Sequence, residues 1–176
     1  MRGIPTYFVA LPMPVREYDH LAPPQYEIVP PEKRHLTLVY LGPLAASSEK
    51  YVLEVVAEVA RLHKPFSVRF IGLAAFPSLS RPKHLAALAE PEAKLLGLRE
   101  DLRQRLSALE KDRYSEYRPH VTVASTRAKP DLNLIQRVEK AVRASKRIKA
   151  LAAARSIALY RAVSGHIEAV RMFELG

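Results

Sequence analysis

"RHLTLVYLG", residues 34–42, and "RPHVTVAST", residues 118–126, decide how this chain is read. Each is a short run of aliphatic and β-branched residues opened by His-x-Thr. Successive side chains of a strand alternate between its two faces, so residues two apart share a face. On strict alternation His35 and Thr37 point one way, and Leu36, Leu38 and Tyr40 point the other. His120 and Thr122 likewise oppose Val121, Val123 and Ser125. Each strand thus has an apolar side for a core and begins its other side with an imidazole and a hydroxyl.

Working outward, the residues around the two motifs repeat one order of elements. The first strand spans residues 6–11 and is ended by the prolines of "PMP". Between it and His35, paired prolines leave room for one or two helical turns at most. After the first motif, Ser47 and Ser48 offer an N-cap for a helix running to about residue 63, with Val52, Val55, Val56, Val59 and Leu62 on one face. Strands over residues 66–76 and 83–90 follow. A second helix covers residues 92–110, with Leu95, Leu98, Leu102, Leu106 and Leu109 spaced by three and four. After the second motif, Pro130 and Asp131 open a third helix that turns Leu134, Ile135, Val138 and Val142 inward. Two last strands, 156–162 and 166–175, flank the hairpin turn "VSG". In each half a His-x-Thr strand is followed by a helix, a strand and a returning strand. The expectation is an α+β fold: one bilobal domain over residues 1–176, with two pseudo-symmetric lobes of mostly antiparallel sheet and packed helices. The motifs at 35–38 and 120–123 would face each other across a central groove.

The bulk numbers narrow the chemistry. At 176 residues and 48% hydrophobic content the chain can bury a sizeable core. Its net charge of +10 suits a polyanionic partner, nucleic acid or a phosphorylated metabolite, although a solvated Lys- and Arg-rich surface gives the same count. There is no cysteine, so disulfides, thiolate metal sites and a cysteine nucleophile are excluded. The opening "MRGIPTYFVALPMPV" does not read as a signal peptide, and no apolar run approaches the roughly 20 residues of a membrane span. A cytoplasmic protein is expected. One asparagine and three glutamines beside 14 prolines point toward a thermophile.

An imidazole exchanges a proton near neutral pH, and a threonine hydroxyl can donate to a phosphoryl oxygen without adding charge. Two imidazoles facing each other across a phosphate are the minimum set for acid–base phosphodiester chemistry, one accepting the nucleophile's proton and one supplying the leaving oxygen's. Neither a metal nor another cofactor is required, and no carboxylate-rich cluster stands out. With six histidines a lone His-x-Thr carries little weight; two copies in matching contexts carry much more.

The paired motifs "HLTLVYLG" and "RPHVTVAS" resemble the signatures of the two-histidine phosphoesterase superfamily, and within it the RNA 2′,3′-cyclic phosphodiesterases long called 2′–5′ RNA ligases. "YFVALPMP", "FPSLSRPKHLAALA" and "LYRAVSGHIEAVRMFEL" are similar to that family's first strand, middle loop and strand, and closing hairpin. The resemblance implies that His35 is the proton donor and His120 the proton acceptor, with Thr37 and Thr122 binding the scissile phosphate. It implies opening of a 2′,3′-cyclic phosphate to a 2′-phosphate, and 2′–5′ ligation when an RNA 5′-hydroxyl takes part. The partner is then RNA with cyclic phosphate ends, tRNA fragments among them, acted on by a monomer away from membranes. The residues themselves leave acid and base unassigned, because the motifs are nearly symmetric.

Two departures stand out. Family members often carry an arginine where this chain has Ser125; Arg127, two residues on, either supplies that charge or is a solvated loop residue. The segment before His35 is short beside the family's first helix. Among secondary candidates, Tyr114 and Tyr117, flanked by Arg113 and Arg118, can stack on a base or simply form a loop. Phe76 and Arg81 belong at the groove or in packing. His20, His63, His84 and His166 read as surface or packing residues, and residues 146–155 as a solvated strand edge. Competing functions are a non-catalytic RNA-binding module and a phosphodiesterase for a small cyclic nucleotide.

Overall fold

The computed structural model describes residues 3–111 and 116–176. The strands are β1 (Thr6–Pro12), β2 (Glu27–Ile28), β3 (His35–Gly42), β4 (Phe66–Phe76), β5 (His84–Ala89), β6 (His120–Ser125), β7 (Ala150–Ala154), β8 (Ser156–Val163) and β9 (His166–Glu174). The helices are α1 (Ala46–Leu62), α2 (Ala93–Arg105) and α3 (Leu132–Ser145). All strands join one antiparallel sheet in the order β7-β4-β5-β6-β3-β1-β8-β9, with β2 added beside β6. The two His-x-Thr strands, β3 and β6, are neighbours at its centre.

From that seam the sheet reads alike in both directions: β1, β8, β9 on one side and β5, β4, β7 on the other. The halves are not contiguous in sequence. β4 and β5 follow β3 along the chain but sit beyond β6, and β8 and β9 follow β6 but extend from β1. Alternation specifies which face of a strand is buried, not which neighbour it takes, so this exchange leaves no trace in the pattern.

The helices cover one face. Val52, Val56 and Val59 of α1, Leu95, Leu98 and Leu102 of α2, and Leu134 and Val138 of α3 pack with Val9, Leu11, Leu36, Leu38, Leu85 and Val121 of the strands into one core. The opposite face carries a small separate cluster: Phe8 and Ala10 of β1 with Ala158 and Tyr160 of β8. The closing hairpin turns through Ser164 and Gly165, both at positive φ, and pairs Val163 with His166. Two successive left-handed residues make the turn that matches strand twist, and Ser-Gly suits it because glycine adopts that φ without strain.

Several boundaries differ from the sequence expectation. α1 begins at Ala46 behind Ala45, which offers no side-chain cap, so neither Ser47 nor Ser48 caps it. Its first bond runs from the Glu49 amide to the Ala45 carbonyl, and the Glu49 carboxylate is taken by the Tyr7 hydroxyl at 2.9 Å. α2 ends at Arg105; Leu106 and Leu109 keep their inward positions from a following turn. Asp131 does cap α3, accepting from the Leu134 amide at 2.8 Å. The segment before His35 holds two single 3₁₀ turns, Asp19–Leu21 and Pro31–Lys33, with β2 between them.

That segment is fastened by Arg34, 1% exposed. Its guanidinium forms a two-toothed ion pair with Asp19 at 2.8 and 2.9 Å, donates to the Val29 carbonyl at 3.0 Å, and also donates to the Val15 carbonyl. A buried arginine needs its donors satisfied, and here the loop is wrapped around it. The tied residue is the one immediately before His35.

Candidate active site

β3 and β6 are joined by one paired position, Leu36 with Val121. Both side chains enter the helix-covered core. Counting one residue outward in this antiparallel register sets His35 opposite Thr122 and Thr37 opposite His120. All four lie on the face away from the helices, and all are half-buried. The two motifs predicted to face each other thus form a two-by-two array.

The histidines are held in the same way. His35 Nδ1 lies 3.0 Å from the Lys33 carbonyl, and His120 Nδ1 lies 2.7 Å from the Arg118 carbonyl. A carbonyl only accepts, so each Nδ1 carries the hydrogen and each Nε2 is the nitrogen left for proton exchange. The rings are braced by aromatics. His35 lies 4.9 Å from Phe8 and 5.2 Å from Tyr160, while His120 stacks on Phe76 at 4.7 Å. Arg118 also meets Phe76, its guanidinium 5.1 Å from the ring centre. Burial pushes the pKa of His35 below its ordinary value; the bond to Lys33 opposes this, and the nearby His120 adds to it. Burial also raises Tyr160 to about 12, so it stays a neutral phenol.

Beside the threonines the sheet is lined with alanine. Ala10 pairs with Thr37 and Ala86 with Thr122; Ala158 and Ala74 lie one strand further out. Side chains that small add no bulk beside the hydroxyls.

Strict alternation fails just past each threonine. The β1–β3 register shifts between Val9 and Ala10, and the β5–β6 register shifts between Leu85 and Ala86. Each shift places an extra residue in the motif strand, so two consecutive side chains point into the core: Leu38 and Val39 in β3, Val123 and Ala124 in β6. Tyr40 and Ser125, expected on the core face, therefore emerge with the histidines. Tyr40 pairs with Phe8 and is 41% exposed. Ser125 pairs with His84, and its hydroxyl lies 2.7 Å from His84 Nδ1.

That corrects the reading of His84 as a surface or packing residue. It shares the face of His120 and occupies, in the second half, the position that Phe8 holds in the first. Its pKa is lowered by burial first, then by Lys83 and His120. His63 instead pairs with Asp101 at 2.9 Å, away from the motifs.

The remaining candidates divide. Phe76 is at the site, against His120. Tyr117 spans to the other motif: its hydroxyl donates to the Thr37 carbonyl at 2.6 Å, and the Arg99 guanidinium covers its ring at 3.9 Å. Arg127 lies past the end of β6, in a cleft with Arg81. Tyr114 and Arg113 lie outside the described residues. Residues 150–154 of the 146–155 segment form the edge strand β7, paired to β4. Phe8, Tyr40, Tyr160 and Arg34 were missed. Only their alternation with the motif strands' neighbours pointed to the first three, and nothing in "EKRH" marks Arg34 as buried.

Among the described residues no three His, Cys, Asp or Glu side chains gather where they could hold a metal ion, and no helix is long and apolar enough to cross a membrane.

Fold and site together define an α+β protein in which a duplicated His-x-Thr strand is brought together at the centre of one sheet. The chain belongs to the 2′-5′ RNA ligase superfamily, whose sequence profile matches residues 9–165. It is 33% identical over 107 residues to an RNA 2′,3′-cyclic phosphodiesterase of Thermus thermophilus, covering 57% of this chain and 54% of that protein. It is 29% identical over 101 residues to one of Archaeoglobus fulgidus, covering 57% and 56%. The matched stretches thus span about half the length of these curated relatives. A crystal structure of a Thermus thermophilus protein superposes with a TM-score of 0.72 over 97% of both chains at 23% identity. The apo form of E. coli LigT superposes with a TM-score of 0.63 over 98% of this chain and 99% of that one, at 18% identity. These two show a shared fold.

Proposed function

We propose that this chain opens RNA 2′,3′-cyclic phosphates to 2′-phosphates by proton transfer through His35 and His120, without a metal. The observation that carries this is the matched pair of imidazoles. Each has Nδ1 tied to the carbonyl two residues before it, and each sits beside a threonine from the opposite strand. The names of the curated relatives support the choice of substrate.

The phosphate sits over Thr37 and Thr122, which donate hydrogen bonds to its non-bridging oxygens. His120 Nε2 takes a proton from water as that oxygen attacks phosphorus. The P–O3′ bond breaks, and His35 Nε2 gives its proton to O3′, leaving a 2′-phosphate and a 3′-hydroxyl. With an RNA 5′-hydroxyl in place of water the same step gives a 2′–5′ linkage. Burial favours the neutral form of His35, and a bound phosphate, an opposite charge, favours its protonated form. Such proton transfers contribute about 10²–10⁴-fold to the rate. Both motifs come from one chain, so a monomer suffices. RNA ends, tRNA fragments included, are the substrate class, encountered in the cytoplasm.

The test is product analysis. A short RNA with a 2′,3′-cyclic end, incubated with excess EDTA, should yield the 2′-phosphate alone. Recovery of only the 3′-phosphate, or of no product, would refute the proposal.

A further inference from the structure

Past Ser125 the two strands β5 and β6 run out into a cleft of ≈ 470 Å³ lined by Arg81, Lys83 and Arg127 with Pro77, Pro82 and Thr126. All three cations line it without a counter-charge: among the described residues no carboxylate lines the cleft, and none of the three has an ion-pair partner. The walls are fixed in advance. The Thr126 amide donates to the Lys83 carbonyl at 3.0 Å, and the Thr126 hydroxyl donates to the Gln25 carbonyl at 2.8 Å and accepts from the Ala128 amide at 3.1 Å. The Arg81 amide donates to the Ser78 carbonyl at 3.2 Å, and the prolines stiffen the loop between.

The cleft lies where the strands that carry His84 and His120 end. Lys83 precedes His84, and Thr126 follows Ser125, the pair bonded across β5 and β6. Lys83 adds to the effect of burial in lowering the pKa of its neighbour His84. Arg127 is five residues beyond Thr122, roughly 15 Å along a strand before allowing for the extra residue at Val123 and Ala124. A long arginine side chain shortens that further. Across the seam, Phe8, Tyr40 and Tyr160 hold the positions that His84, Ser125 and Phe76 hold on this side.

We infer that the Arg81–Lys83–Arg127 cleft is a second anion site, which binds a phosphodiester of the RNA strand upstream of its cyclic end. It rests on the reading that a terminal phosphate sits between the two motifs, and it makes the protein selective for polyribonucleotides over mononucleotides. Preformed cations, already held apart from carboxylates, lose little on binding such a group.

Calorimetric titration of the wild type and of an Arg81→Ala/Arg127→Ala double variant tests it, with two probes: adenosine 2′-phosphate and a triadenylate carrying a 3′-terminal 2′-phosphate. Both arginines are exposed, so the variant should fold. The wild type should bind the trinucleotide about tenfold more tightly than the mononucleotide. The variant should lose that advantage while its affinity for the mononucleotide changes by less than about twofold, and its log-affinity against log-salt slope should fall by about one. Equal wild-type affinity for both probes, or an equal loss on both, would overturn the second site. Turnover is read separately. A protein that shows this arginine-dependent gain yet opens no cyclic phosphate keeps the cleft and loses the activity proposed above; one that opens the cyclic phosphate but binds both probes alike loses the cleft only.

Discussion

Leu36 and Val121 form the paired position through which β3 meets β6, and their register sets each histidine opposite the other strand's threonine. Both are fully buried, so the spacing of the four polar side chains is fixed from the opposite face of the sheet, by core packing. The site is only as well defined as that contact.

Leu36→Ala should therefore affect both stability and catalysis. Removing a fully buried leucine costs about 2–5 kcal/mol, depending on how far the site collapses. Chemical denaturation should show that loss, and kcat on a cyclic-phosphate substrate should fall more than KM rises, because the histidines and threonines lose their spacing rather than their chemistry.

Arg34→Ala should be among the most destabilising single changes, by about 3–5 kcal/mol, since it leaves Asp19 partly buried without its partner and frees the Val15 and Val29 carbonyls. Arg34→Lys should recover little, because one ammonium cannot replace the two-toothed contact. Thermal or denaturant unfolding of the two variants checks this.

His35 should titrate below the ordinary histidine value in the free protein and move upward when inorganic phosphate is added, as followed by imidazole NMR. Burial favours the neutral ring, so below about pH 6.5 the unfolded chain takes up protons that folded His35 and His84 resist. Stability should accordingly fall as pH drops through that range and be insensitive to these two groups above it. A His35 resonance that titrates above 6.5 in the free protein would contradict the burial argument.

Tyr40→Ala should raise KM for an oligonucleotide about tenfold with little change in kcat, the expected loss of one base–aromatic stack. If Tyr40 pointed into the core, as uninterrupted alternation has it, the same change would appear as lost stability instead.

Much of this was legible in the chain. His35, Thr37, His120 and Thr122 announce themselves by spacing, and the hydrophobic alternation places them away from the core. What lay beyond the sequence were features decided by long-range pairing. An extra residue in each motif strand reverses the phase, and neither Leu38–Val39 nor Val123–Ala124 differs in type from ordinary strand residues, so Tyr40 and Ser125 were assigned to the wrong face. His84 acquires its meaning from Ser125, 41 residues away, and Arg34 from Asp19 and two carbonyls that only the folded loop delivers. The exchange of strands between the sheet's halves is likewise a choice of neighbour, on which local pattern is silent.

The most direct measurement follows a short RNA ending in a 2′,3′-cyclic phosphate, in excess EDTA, with wild type, His35→Ala and His120→Ala compared side by side. Wild type should release the 2′-phosphate, and each variant should be slower by about 10²-fold or more while remaining folded. Undiminished turnover by either variant, or turnover by wild type that EDTA abolishes, would contradict a metal-independent histidine pair.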